Sequence, residues 1–292
     1  MGILTGLEHF VREQEPLAPF TWLRLGGAAQ YFAEPTSQAE LVELVKRCQQ
    51  NSLPLRVLGG GSNLLVRDEG VKGVVVQLTA GAFANITHQG RRITAGGGAK
   101  LGHVVSTAVR EGLAGIEMLA GIPGTLGGAL HTNAGTHSGD IGQWLVSATV
   151  LSTTGEVKTR QKQDLRFGYR ASSLDDLVIL SAELELEPGD PAWLTKQMQQ
   201  QWILKKASLP LSDQNTGCIF KDAGGRTAAS LIDEADLKSE RRGDVSISDR
   251  NSNYFVAGRK AKASDVLDLI AHIRKVVADR NGIDLELAIE VW

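Results

Sequence analysis

Cysteine is scarce: Cys48 and Cys218 are the only two in 292 residues. That excludes a disulfide framework, and their spacing matches no cysteine metal site. Positive charge is not in excess either, with 31 Lys and Arg against 33 Asp and Glu and a formal net charge of −2. A surface for duplex nucleic acid or anionic lipid needs a cationic excess or a basic run, so neither is expected as a partner. The densest charged cluster, KSERR at 238–242, carries Glu240 inside it and reads as solvated surface or a local anion contact. No apolar run approaches the roughly 20 residues of a membrane span. The opening MGILTGLEHF lacks the charged start and long apolar stretch of a signal peptide. Gly6 also stands where myristoylation requires Ser or Thr. A soluble cytoplasmic protein is the expectation. His131 and His137, six residues apart and without a matched partner, make no metal signal, and the five tryptophans are assigned to packing.

Glycine is plentiful and clustered. Residues 58–66, LGGGSNLLV, place three glycines between two apolar runs. Consecutive glycines lower the stability of a helix or strand, because each has more backbone freedom to lose. Close approach of main chain to another group would explain them. A second cluster, AGIPGTLGGALHTNAG, follows at 120–135, with Pro123 fixing one turn. No G-x-x-x-x-G-K-[ST] occurs and no G-x-G-x-x-G opens a helix. Successive main-chain N–H groups in a strand–turn–strand can still form an anion-binding concavity, with Ser62 and Asn63 adding side-chain donors. The alternative at either cluster is a tight turn between packed strands. Two such clusters in one domain favour an extended dinucleotide.

Around these clusters the pattern alternates between periods of 2 and 3.6. Residues 28–35 read as a strand, then Ser37 and Glu40 form a capping box ahead of a helix whose apolar stripe includes Cys48. Residues 53–61 supply the next strand, with shorter strands at GVVVQL and RRITAGGG. Residues 100–112 read as a helix stopped by Gly112, 145–160 as a hairpin turning at Thr154–Gly155, and 177–186 as a buried strand. A Gly-Asp-Pro break places a domain boundary near 188–191, leading into a polar-rich helix. Beyond it lie a helix at TAASLIDEADL, a strand at NYFVA, a long helix capped by Ser264 and stopped by Gly282, and a final strand IDLELAIEVW. The class is α+β.

RLGGAAQYFAEP, LGGGSNLLV, AGIPGTLGGALHTNAG, FGYRASS, TGCIFKD and LIDEADLK occur in one order that resembles the UDP-N-acetylenolpyruvoylglucosamine reductase family, from about Thr21 to the C-terminus. The resemblance implies a two-lobed FAD-binding domain of the vanillyl-alcohol-oxidase type over 1–188, with lobes of about 1–78 and 79–188. A smaller α+β substrate domain over 189–292 follows. It implies FAD and NADPH as cofactors, an enolpyruvyl ether of a UDP-sugar as substrate, a monomer or weak oligomer, and a place in peptidoglycan precursor synthesis. The short Arg170–Cys218 spacing resembles the compact branch, without an extra tyrosine loop over the substrate. Leu58, Gly59, Gly60, Gly61, Ser62 and Asn63 would hold FAD, with Gly121, Ile122, Pro123, Gly124, Thr125, Gly127, Gly128, Asn133, Ala134 and Gly135; His131 would line the same site.

The reduction leaves carbanion character beside a carboxylate, so it needs a cation at that carboxylate and a proton donor at the carbon. Arg170 matches the family's arginine; a guanidinium stays charged and grips a carboxylate through two parallel bonds. Cys218 falls where most members carry the proton-donating serine. A thiol of pKa near ~8.5 is a far better acid than an alcohol, though open to oxidation. The family's second glutamate in Leu-Glu-x-Glu-Val aligns with Ala288, so the acid is missing. Glu290, two residues along a strand, is the candidate substitute, and Glu286 faces the same way. Asp236 and Ser239 replace usual glycines, and Asn251 stands where a histidine is common. The alternative is a homologue that binds FAD and the UDP-sugar but turns over weakly or not at all.

Overall fold

The structure is a computed structural model that describes residues 5–208 and 216–292; part of the opening segment, residues 1–4, lies outside it. By packing, the described chain divides into two compact units. The first comprises the residues up to Glu15, Gln30–Gly60 and Lys72–Leu204; the second comprises Pro16–Ala29, Gly61–Val71 and the residues from Lys205 to Trp292. The division differs from a single cut at 188/189. Leu23, Leu25 and Leu65 lie in the core of the second unit, together with Leu231, Phe255, Ile273 and Leu285. Two early segments are therefore needed to fill that core.

Two sheets build the first unit. One has strand order Val11–Pro16, Ala28–Ala33, Val71–Gln77, Leu55–Leu58, and its last two strands run parallel. The connecting helix Gln38–Gln50 buries Leu41, Leu44, Val45 and Cys48. Ser37 caps it, its Oγ accepting from the Glu40 N–H at 3.3 Å, while the Glu40 carboxylate turns to the N–H and hydroxyl of Thr36. His9, then Thr36, hold the Glu40 carboxyl down to about 2. Cys48 is core as expected, and burial pushes its thiol up to about 11.

The other sheet is antiparallel, in the order Val157–Gln161, Leu145–Leu151, Val178–Glu185, Arg92–Gly96, Ile86–Gln89. Helices Leu101–Arg110 and Leu126–His131 share one apolar core with it, including Leu101, Val104, Ile116, Leu126, Leu130 and Leu184. Gly112, at φ +69°, stops the first helix. The helix Pro191–Ser208 starts at the Gly-Asp-Pro break. Trp193 and Trp202 on it are 52% and 49% exposed, so two of the five tryptophans are not core packing.

The second unit carries an antiparallel sheet in the order Thr216–Cys218, Tyr254–Ala257, Val245–Ile247, Arg241–Arg242. Helix Ala263–Asn281 buries Val266, Leu269, Ile270, Ile273 and Val277, a 3.6-period stripe in which each side chain contributes about 1.5–3 kcal/mol. Gly282 ends it at φ +68°. Ser264 is not its N-cap: Lys262 is. The Asp68 carboxylate accepts from the N–H groups of Ala263 at 2.8 Å and Ser264 at 3.0 Å, doing from a distant segment what the local serine does not.

The C-terminal segment is not one strand. Leu287 bridges Phe220 in antiparallel sense, then Glu290–Val291 pairs in parallel with Leu64–Leu65. The Glu290 N–H donates to Asn63 and the Arg67 N–H to the Trp292 carbonyl. The chain changes partners within four residues, which interrupts the strict alternation of a strand.

Candidate functional site

Two bare stretches of main chain meet in the first unit. Leu58 is buried at the end of its strand. A Cβ on Gly60 would lie 2.7 Å from the Gly124 Cα, and one on Gly59 would lie 2.9 Å from the Thr125 Oγ1. At Gly60 backbone touches backbone, which leaves no room for a side chain. Among the described residues, no acceptor is paired with the N–H of Gly59 or Gly60. Gly121 and Gly124 adopt φ +77° and +118°, which only glycine does without strain. Such a surface, free of side chains and with unpaired N–H donors, fits a pyrophosphate and its neighbouring groups.

Other residues of the two clusters make contacts within the protein. The Gly127 and Leu126 N–H groups donate to Gly97 and Ala99, and a Cβ on Gly127 would lie 3.0 Å from the Gly97 oxygen. Thr125 caps its short helix by accepting from Gly128. Gly127 therefore packs on the third glycine run, residues 96–98, whose own bareness admits the carbonyls of Phe83, Ile179 and Leu78. Ala134 is buried and Gly135 pairs with Asp140. Ile122 packs on the apolar core, and Pro123 is exposed. The ring of His131 meets the Leu174 carbonyl at 3.3 Å. Gly61 belongs to the second unit, where a side chain would collide with the Phe20 carbonyl. Ser62 and the half-buried Asn63 follow it there, the Asn63 carbonyl accepting from Glu290. At Gly61 and Gly127 a side chain would meet neighbouring main chain.

Arg170 sits in the first unit at the tip of a hairpin, with Phe167 opposite Ser172 and Gly168 opposite Ala171. It is exposed and adopts φ +54°, a left-handed conformation uncommon outside glycine and a mark of functional loops. Asn133 lies beneath, 2% exposed. Its amide donates to the Gly168 carbonyl at 2.8 Å and accepts from the Gly142 N–H at 3.1 Å.

Cys218 ends a strand of the second unit, opposite Tyr254, and is half-buried. A residue missed in the sequence, Asn253, braces it. The Asn253 carbonyl group of the side chain accepts from the Phe220 N–H at 2.8 Å, and its amide donates to the Phe220 carbonyl at 2.8 Å and to the Cys218 Sγ at 3.4 Å. Asparagine at 253 gave no periodic or motif signal, because its partners lie 33 and 35 residues away.

Ala288 is beside this strand, its N–H donating to the Ile219 carbonyl at 2.8 Å, while Lys221 donates to Glu286. The register is thus set with alanine at 288, and Glu290 does not occupy its place. The Glu290 carboxylate accepts from the Trp292 indole at 3.2 Å, and Glu286 forms an exposed ion pair with Lys221. Among the described residues, no group of three or more His, Cys, Asp and Glu could hold a metal ion, and no helix is long and apolar enough to cross a membrane.

Residues 29–160 match a model described as an FAD binding domain, and residues 209–292 match the UDP-N-acetylenolpyruvoylglucosamine reductase C-terminal domain. The reductase of that name from Rhodopirellula baltica is 38% identical over 98% of this chain and 94% of its own. A second, from Symbiobacterium thermophilum, is 39% identical over 97% and 92%. The crystal structure of UDP-N-acetylenolpyruvylglucosamine reductase from Thermus caldophilus superposes with a TM-score of 0.82 at 34% identity, covering 97% of this chain and 100% of that one. With its two-part FAD-binding architecture and relatives matched along nearly its whole length, the chain belongs to the UDP-N-acetylenolpyruvoylglucosamine reductase family.

Proposed function

We propose that the protein reduces UDP-N-acetylglucosamine enolpyruvate to UDP-N-acetylmuramate in the cytoplasm, using FAD and NADPH, as a step of peptidoglycan precursor synthesis. The observation that carries this reading is the meeting of bare main chain at Gly60 and Gly124, with unpaired N–H groups at Gly59 and Gly60, inside the segment matched to an FAD binding domain. Bound there, FAD would supply hydride transfer, from NADPH to the vinyl carbon of the substrate.

The chain's own groups do the rest. The Arg170 guanidinium grips the substrate carboxylate and offsets the negative charge that spreads into it as hydride arrives. The Cys218 Sγ–H then gives its proton to the adjacent carbon, completing a lactyl ether and leaving a thiolate. The Asn253 amide at 3.4 Å from that sulfur keeps the group in place. The test is steady-state turnover: NADPH is consumed when the enolpyruvyl substrate is present and not in its absence. Consumption that ignores the substrate contradicts the proposal.

Ala288 supports a second reading, that of a homologue binding FAD and UDP-sugar with weak turnover, because its register beside Ile219 leaves no carboxylate at that position. Ala288→Glu distinguishes the two. A gain in kcat of about tenfold or more favours the second; an active parent with no gain favours a site that works without the acid.

A further inference from the structure

We infer that Asn133 is a positioning residue for Arg170, not a ligand of the cofactor. This deepens the proposed function, since it rests on Arg170 binding the substrate carboxylate. The hairpin that carries Arg170 is only two residues per strand, too short to hold its own shape, and its tip is left-handed at a non-glycine residue. Something beneath it must determine where the guanidinium points.

Asn133 meets that need. It is 2% exposed, so its side chain offers nothing at the surface. Gly168 presents a carbonyl, which can only accept, and Gly142 presents an N–H, which can only donate. The two partners determine the amide's orientation and use both of its ends. Asn133 itself adopts φ +46°, a conformation asparagine tolerates better than most residues, so the residue type suits both backbone and side chain. Further contacts run from the same loop to the same hairpin. The Ser172 hydroxyl donates to the His131 carbonyl at 3.0 Å, and a Cβ on Gly142 would sit 2.5 Å from the Phe167 ring. The amide thus links the loop at 133–142 to Gly168, two residues before Arg170.

The test uses the FAD-loaded full chain and two ligands that differ at the carboxylate: UDP-N-acetylglucosamine enolpyruvate and UDP-N-acetylglucosamine. Asn133→Gly keeps the left-handed backbone and removes the amide; Asn133→Asp keeps the size and the acceptor and removes the donor to Gly168. Titration calorimetry is expected to show both variants binding the enolpyruvyl ligand about tenfold more weakly, the scale of one hydrogen bond, with the affinity for the ligand lacking the carboxylate unchanged. FAD content is expected to stay at the parent level. In an Arg170→Ala background the same changes are expected to have no further effect. Equal weakening of both ligands, loss of FAD, or additive losses with Arg170→Ala would overturn the positioning role while leaving the Arg170 assignment intact. An Arg170→Ala variant that binds the enolpyruvyl ligand as the parent does would overturn both. Asn133→Asp covers the case in which Asn133→Gly does not fold.

Discussion

At position 218 the proposed proton donor is a thiol, and the consequences separate by half-reaction. A positioned proton donor contributes typically 10²–10⁴-fold. Cys218→Ala is therefore expected to lower substrate turnover by about that factor while NADPH still reduces the flavin at the parent rate, as followed by anaerobic absorbance. Cys218→Ser is expected to keep turnover within about tenfold of the parent, because the hydroxyl restores a donor at the same place. A parent-like Cys218→Ala would remove the thiol from the mechanism. Arg170 and Cys218 are proposed on the strength of the short motifs that hold them. Asn133 was legible only as part of a glycine-rich run, and its work beneath the hairpin was hidden, since Gly168 is 35 residues away. Asn253 had no local signal at all. Side chains that act through distant main chain leave no periodicity to read.

Helices were the elements best predicted, since apolar stripes at 41–48, 101–109 and 266–277 report burial directly. What the stripe does not report is a cap supplied from elsewhere. Asp68 caps the helix Ala263–Asn281 across 195 residues, while the local Ser264 does not. Burial raises the Asp68 carboxyl, but the Ala263 and Ser264 N–H groups outweigh it and the net shift is downward. A carboxyl depressed in the folded state contributes stability that is complete above its unfolded value of about 4 and is lost as pH falls through the folded one. Asp68 is exposed, so screening keeps the effect small; capping interactions of this kind are worth about 1 kcal/mol. Asp68→Ala is expected to lower Tm at pH 7 by a few degrees, and the gap to the parent is expected to close as the pH is taken below about 4. A gap independent of pH would mean that the carboxylate is not what holds the helix end. The C-terminal strand was misread for a related reason. Alternation in LELAIEV signals a half-buried strand, yet cannot show that the partner changes from Phe220 to Leu64 part-way along.

The molecule as a whole is less sequential than its motifs. A Gly-Asp-Pro break marks the start of a helix, but the second unit also takes in Pro16–Ala29 and Gly61–Val71. Gly26, Gly27 and Gly70 allow these two segments to pack on each other, since a side chain on any of them would strike Val66, Asp68 or Ala28. A fragment of residues 189–292 is therefore expected to lack Leu23, Leu25 and Leu65 from its core and to melt without a cooperative transition, whereas the full chain melts cooperatively. A cooperative fragment would show that the early segments are dispensable. The presence of two parts was legible in outline from the glycine clusters and motif order; the early segments that join the second unit were not, because they depend on pairings far apart in sequence.

The proposal rests on bare main chain that would hold FAD, which would supply hydride transfer to an enolpyruvyl ether with Arg170 and Cys218 assisting. The most direct measurement is anaerobic: the purified, FAD-containing protein is reduced with one equivalent of NADPH, then mixed with UDP-N-acetylglucosamine enolpyruvate while the flavin absorbance is followed. The account predicts bleaching by NADPH and return of the oxidised spectrum on mixing, with one lactyl ether formed per flavin. A flavin that stays reduced in the presence of that substrate would contradict it.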